Sequence, residues 1–364
     1  ATPTTNGARS HGGVSWQPAG HAIVALARLD PREAARLLPA IATSPIPWLR
    51  AYGAHAAGVL ADTAKLRTLA RDRNDNVKEA ALDELAKLPG HPADAEAIAA
   101  LSSQGYQAVR AAARVLKGSS RSSEIAHASI ATATRLRADS AETSRDARLA
   151  VLERVSEFAT ASDAPSIDAL ATDYDCVVAS VAAKIANKLG ASAQPHCTPM
   201  PNDVPEDAVH LAFGETVHLR VTLADSSGGG SFMIRLRGDA APVMAGRVLS
   251  LVNAHWYDNR AWFRVEPDFV IEGGGPGANE YVGAKRFMRD ELSSIPQVRG
   301  TVGMSTRGHD TGDAQWFINL RDNLRLTRDY TTFGEVVSGI DVVDGVLEGD
   351  VIQSVEVVTG QFSS

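Results

Sequence analysis

The spacing of apolar residues changes once along the chain. From about residue 17 to 190 they recur at helical spacing, with glycine and proline mostly between segments. This predicts helices over 31–42, 45–60, 75–88, 106–117, 143–159 and 174–189. After residue 215 the period falls to two: Val217, Leu219, Val221 and Leu223 alternate with His218, Arg220 and Thr222. The turn Asp225-Ser-Ser-Gly-Gly-Gly230 and the run Ser231–Arg237 complete a hairpin signature. One helix is predicted over 242–253, with Pro242 in its first turn. Further strands are predicted over 262–265, 269–272, 301–305, 315–320, 332–336 and 352–358. Many short strands with one or two helices predict a closed antiparallel β-barrel.

Several of the early helices share a local pattern, an apolar residue followed one turn later by a small one. Leu49-Arg50-Ala51-Tyr52-Gly53 aligns with Val77-Lys78-Glu79-Ala80-Ala81, Val109-Arg110-Ala111-Ala112-Ala113 and Val177-Val178-Ala179-Ser180-Val181. The interval is irregular but near about 30 residues, within the range of stacked helix-pair repeats. Small residues at these places let neighbouring helices approach closely, so that each pair covers the next. The pattern resembles a HEAT-type α-helical solenoid; a plain Ala-rich bundle is the alternative. Such a scaffold offers a surface to a protein partner. It holds no nucleophile, metal set or phosphate loop. The expected organisation is an extended tail over 1–16, a HEAT-like helical domain over 17–190, a Pro-rich linker over 191–214 and a barrel domain over 215–364.

Composition narrows the function classes. The 364 residues are 44% hydrophobic and 22% charged, enough for two domain-sized cores. A net charge of −7, with both signs mixed along the chain, argues against nucleic acid as a partner. No apolar run approaches the roughly 20 residues of a membrane span. The polar opening Ala1–Gly13 reads as the residue of a cleaved export signal or as a trimmed start. The expected location is therefore outside the cytoplasm, with the cytoplasm as the alternative. Cys176 and Cys197 either form a disulfide tying a linker to a helix, which fits export, or remain a buried small hydrophobe and an exposed thiol.

Candidate chemistry lies in Trp262–Gly277, where Arg264 interrupts a run that otherwise reads as a buried strand. An arginine is rarely buried without a partner. Trp262-Phe263-Arg264-Val265-Glu266-Pro267-Asp268-Phe269-Val270-Ile271-Glu272-Gly273-Gly274 resembles the F-H-R-V-I-P-G-F-x-x-Q-G-G segment of cyclophilins. Further on, Gly300-Thr-Val-Gly-Met-Ser-Thr-Arg-Gly-His-Asp-Thr-Gly-Asp-Ala-Gln-Trp-Phe-Ile318 resembles their G-x-L-S-M-A-x-x-G-x-x-T-x-x-S-Q-F-F-I. Leu326–Tyr330 and Thr332-Phe-Gly-Glu-Val336 parallel a third segment. The resemblance implies an eight-stranded antiparallel barrel capped by helices. It also implies peptidyl-prolyl cis-trans isomerase activity on proline-containing polypeptides, without cofactor or metal. Arg264 would be the catalytic cation, standing on the outer face of the barrel beside a shallow groove. Phe269, Val270, Phe317 and Leu326 would wall the proline pocket, and Gln315 would contact substrate. Ser305 and Thr306 would grip the peptide through their main chain, and Tyr330 stands where many members carry histidine.

There are departures from the family pattern. Glu272 replaces the glutamine that positions the arginine, Arg325 stands where an aromatic often lines the pocket, and Arg247-Val248 replaces Asn-Phe. The shortened Gly- and Asn-rich insertions look bacterial. Glu272 and Arg325 make a weak isomerase the expectation, and a barrel that binds proline peptides without turning them over is the alternative. Gly273-Gly-Gly-Pro-Gly277 lacks the P-loop pattern and leads into no helix, so nucleotide binding is not expected. His309 and Asp310 read as a loop turn, not a metal site.

Overall fold

The computed structural model describes residues 16–201, 204–214 and 216–359. Of the expected tail over 1–16, all but Trp16 lies outside the described residues. The chain forms two compact units that divide after Pro201.

The first unit is helical throughout. Its α-helices are α1 (Gln17–Leu29), α2 (Pro31–Ala42), α3 (Pro47–Val59), α4 (Thr63–Leu69), α5 (Asp75–Leu85), α6 (Asp94–Ala100), α7 (Tyr106–Val115), α8 (Ser122–Ala138), α9 (Arg145–Phe158), α10 (Ala164–Asp168) and α11 (Cys176–Lys188). The odd-numbered helices form a row in which each packs on the next, and each even-numbered helix packs beside a member of that row. Alanines 54, 56 and 57, 80 and 81, 111 to 113, and 182, 183 and 186 are buried along the row, where a small side chain permits close approach. Helices α1, α4, α6 and α10 lie outside the ranges expected to be helical, and so does α8. Its Ser, Thr and His residues dilute the apolar period that betrays a helix.

A polar arrangement repeats beneath the row. The fourth residue of one odd helix reaches the residue two before the N-cap of the next odd helix. Arg50 clasps Asp72 with two bonds of 2.8 Å. Lys78 Nζ donates to Ser103 Oγ at 3.2 Å. Arg148 donates to Asp173, with both side chains fully buried. The N-caps of the next helices include Asn74 and Asp175, whose side chains accept from the first free amides of α5 and α11.

Cys176 and Cys197 form a disulfide, Cα to Cα 5.1 Å, joining the first residue of α11 to the segment after it. That segment is held further by His196 N–H on Ala171 O at 2.9 Å and by Asn187 bonded to both Ala193 N–H and O. The range expected to be one linker therefore has two fates. Its first part is pinned to the helical unit, and Glu206–Gly214 forms a helix, α12. Buried Ala208 and Ala212 join α12 to the core of the second unit. It crosses α13 (Pro242–Asn253) where Gly246 has no side chain; a Cβ there would come within 2.9 Å of Val209 Cα.

The second unit is a closed antiparallel barrel of eight strands: β1 (Val217–Leu223), β2 (Ser231–Leu236), β3 (Arg260–Glu266), β4 (Val270–Gly273), β5 (Thr301–Met304), β6 (Trp316–Asn319), β7 (Thr332–Ser338) and β8 (Val351–Thr359). Around the barrel they run β1-β2-β7-β5-β6-β4-β3-β8. Helix α13 packs on β7 and β8, and the short α14 (Ile340–Asp344) packs on β2. Inside, Trp316 stacks between Tyr257 at 4.7 Å and Phe333 at 6.1 Å, and its ring lies parallel to that of Trp262. Among the described residues, no helix is long and apolar enough to cross a membrane.

Candidate active site

Strand register brings the chemistry to one row on the outside of the barrel. Arg264 of β3 pairs with Glu272 of β4, Glu272 with Phe317 of β6, and Phe317 with Gly303 of β5. Side chains of directly paired residues share a face, so the guanidinium, carboxylate and aromatic ring stand side by side. The row ends at Gly303, and the Phe317 ring lies over it in the space a Cβ would take.

Simple alternation would put Trp262 and Arg264 on the same face. Trp262 is nevertheless in the core and Arg264 outside it. The register between β3 and β4 shifts there: Trp262 opposes Gly273, yet Arg264 opposes Glu272. One extra residue, Phe263, is inserted on β3 and re-aims the rest of the strand. This bulge resolves the arginine in the apolar run. Val265 continues the inner face against Ile271, while Arg264 turns outward with 46% of its side chain exposed.

Beside Arg264 lies a hollow of about 300 Å³ lined by Phe269, Val270, Glu272, Glu280, Ser305, Thr306, Phe317, Arg325, Leu326 and Tyr330. Buried Val270, Phe317 and Leu326 form a small apolar cluster of their own, with Phe269 and Tyr330 packed on it. The Tyr330 ring meets Phe317 edge-on at 5.4 Å. A buried amide network shores up the wall behind Val270. Asn323 donates to Phe269 O at 3.0 Å and to Asn319 Oδ1 at 2.7 Å, and Asn319 donates to Gln297 Oε1 at 2.6 Å.

Every residue expected at the site reaches this hollow except Gln315. That side chain is buried, and its amide donates to Val282 O at 3.1 Å, tying down the loop over 274–300. Arg247 has a comparable task, with its Nε on Asp313 O at 3.3 Å. Sequence reasoning missed Glu280, which that loop delivers to the wall with no motif of its own. It also missed the Ser305 side chain, whose hydroxyl donates to Glu272 Oε1. Ser305 N–H donates to Gln315 O at 2.7 Å.

Arg264 Nη1 donates to Glu272 Oε2 at 3.2 Å, and its Nε lies 3.6 Å from Glu266 Oε1. Burial pushes the Glu272 carboxyl above the usual range, against the lowering pull of the Ser305 hydroxyl and the Arg264 guanidinium. Glu280 nearby pushes the same way as burial. His309 Nδ1 lies 3.0 Å from Asp290 Oδ2, and no group of three potential metal ligands occurs among the described residues. The arrangement offers a fixed cation beside an apolar hollow, and none of the residues lining it is a nucleophile paired with a histidine base.

A family model described as cyclophilin type peptidyl-prolyl cis-trans isomerase matches residues 219–359. A peptidyl-prolyl cis-trans isomerase of Acinetobacter baylyi is 34% identical over 125 residues, covering 32% of this chain and 66% of its own. Peptidyl-prolyl cis-trans isomerase B of Bacillus subtilis is 31% identical over 131 residues, covering 35% of this chain and 92% of its own. A solved cyclophilin type isomerase of Cryptosporidium parvum is similar over 40% of this chain and 99% of its own, at 19% identity and a TM-score of 0.37.

Proposed function

This chain belongs to the cyclophilin-type peptidyl-prolyl cis-trans isomerases, and we propose that it turns over X-Pro bonds of polypeptide clients in the hollow beside Arg264. Amide resonance sets a barrier of about 18–20 kcal/mol to that rotation. No substrate bond breaks, so neither nucleophile nor general base is needed. As the bond twists, the prolyl nitrogen becomes pyramidal and gains a lone pair. The Arg264 guanidinium supplies a planar fork of donors to it. Phe269, Val270, Phe317 and Leu326 take the pyrrolidine ring and exclude water, which strengthens the interaction. One charged hydrogen bond is worth roughly 1.5–3 kcal/mol, about one to two decades of rate. Further acceleration comes from a pocket that fits the twisted form better than either planar isomer.

The observation carrying this reading is the exposed Arg264 guanidinium at the rim of an apolar hollow of about 300 Å³. A cis-trans peptide assay of the whole protein beside Arg264→Ala tests it. Acceleration lost in the variant supports the reading; identical rates for the two proteins would sink it. A binding-only barrel is the second reading, favoured by the two carboxylates that already face Arg264. Peptide binding without turnover is its signature.

The helical unit we read as a HEAT-like platform for the client. Bonds between residues about one repeat apart support this: His55 with Glu84, Arg67 with Glu96, Asp75 with Gly105 N–H, Arg145 with Asp175. A chain lacking residues 1–195 is expected to keep short-peptide turnover and to refold a proline-limited protein more slowly. Equal refolding rates would remove the platform role.

A further inference from the structure

The charges around the hollow are unevenly answered. Arg264 faces Glu272 and Glu266, and Glu272 also holds the Ser305 hydroxyl. Two wall residues have no such counter-charge. Arg325 projects from the short turn Leu324–Leu326, and its guanidinium carbon lies 4.9 Å from the centre of the Phe269 ring. Among the described residues no carboxylate pairs with it. The turn beneath is well anchored, with Leu326 N–H on Asn323 O at 2.8 Å and Leu326 itself buried in the wall. Glu280 is exposed on the loop over 274–300, and its carboxylate meets no cation among the described residues. Arg307 is spent elsewhere. It donates to the Glu280 main-chain oxygen and lies over the rings of Tyr281 and Phe287.

The two unanswered charges sit at different ends. Arg325 shares Phe269 and Leu326 with the start of β4. Glu280 lies by the Ser305–Arg307 segment, where the Arg307 guanidinium bonds its main-chain oxygen. We propose that the site selects prolines by the charge beside them: an acidic side chain is favoured on the flank facing Arg325, and a neutral or basic one on the flank facing Glu280. The inference rests on the hollow being the isomerase site. Its physical basis is that a guanidinium stacked on an aromatic ring is already oriented, so pairing costs little side-chain entropy. Both charges are solvated and pay little desolvation when a partner arrives. An exposed pair of this kind changes an equilibrium by up to about fivefold.

The test uses two peptide series with the whole protein, X-Pro and Pro-X, where X is Glu, Gln or Lys. In one series kcat/KM for Glu should exceed that for Gln by about threefold, with Lys lowest. In the other the order should reverse. Both preferences should shrink in about 1 M salt, where charges are screened beyond about 3 Å. Arg325→Gln should bring the Glu-to-Gln ratio of the first series to about one, and Glu280→Gln should do the same to the Lys-to-Gln ratio of the second. Ratios within twofold in both series, or the same order in both, overturn the proposal. If the Gln peptides are not turned over at all, the isomerase site itself fails. The charge preference is then read from calorimetric affinities of the same peptides, with the same two outcomes.

Discussion

Each unit holds an arginine bonded to a carboxylate, and the two pairs differ in where the guanidinium can go. In the helical unit Arg148 and Asp173 are both fully buried, and Arg148 lies 4.4 Å over the Tyr174 ring. Two of its nitrogens, Nε and Nη2, have no hydrogen-bond partner among the described residues. In the barrel Glu272 is buried to a similar degree, but Arg264 is half in water and lines the hollow. The first guanidinium locks α9 to the start of α11 and is out of reach of any ligand. The second gives up part of its pairing and stays open to the hollow. Burial, not residue type, separates a closed pair from an open one.

The largest effect that tests this contrast is on stability. Arg148→Ala strands a buried carboxylate and should cost about 3–5 kcal/mol. Denaturant unfolding followed by circular dichroism checks it, and a loss below about 1 kcal/mol would place this pair with the solvated ones. Arg264→Ala should lower peptide kcat/KM by roughly 10- to 100-fold. Its stability cost should stay under about 1 kcal/mol, because Glu272 keeps its Ser305 bond. A stability loss as large as that of Arg148→Ala would erase the distinction between the two pairs.

Glu272→Gln gives the smallest effect and the sharpest sign. Removing the charge that holds Arg264 should raise kcat/KM about threefold near neutral pH. The groups facing this carboxyl are Arg264, Ser305 and Glu280. Its folded-state pKa lies above the ordinary 4.5. As pH falls through that raised value the carboxyl is neutralised, so wild-type activity should climb towards that of the variant. The native state also binds this proton more tightly than the unfolded chain. The stability it contributes is complete below about 4.5 and lost as pH rises through the raised value. A pH–rate profile identical in both proteins would show that Glu272 does not restrain Arg264.

Much of the barrel was legible because a half-buried strand must alternate. β1 spans the residues its pattern predicts, and the other strands fall within one or two residues of theirs. The walls of the hollow were legible through the family's spacing. Helices α1, α4, α6, α8, α10 and α12 were not: α4, α6 and α10 are two turns or less, α8 is diluted by polar residues and α12 comes after a run of prolines. Gln315 has the expected residue type in the expected place, but its amide is taken by Val282.

Local patterns determined, by themselves, the strands of the barrel and helices α2, α3, α5, α7, α9, α11 and α13. That information is short-ranged: a period of 3.6 or 2 is set by neighbours a few positions apart. The tertiary structure supplied the reason Arg264 faces outward, which the resemblance implied and alternation alone would not give: a one-residue shift of register between two strands. It also decided that Glu280 and Ser305 join the site and that Cys176 meets Cys197. These are distances between residues far apart in the chain, and they are set by how the elements close on one another.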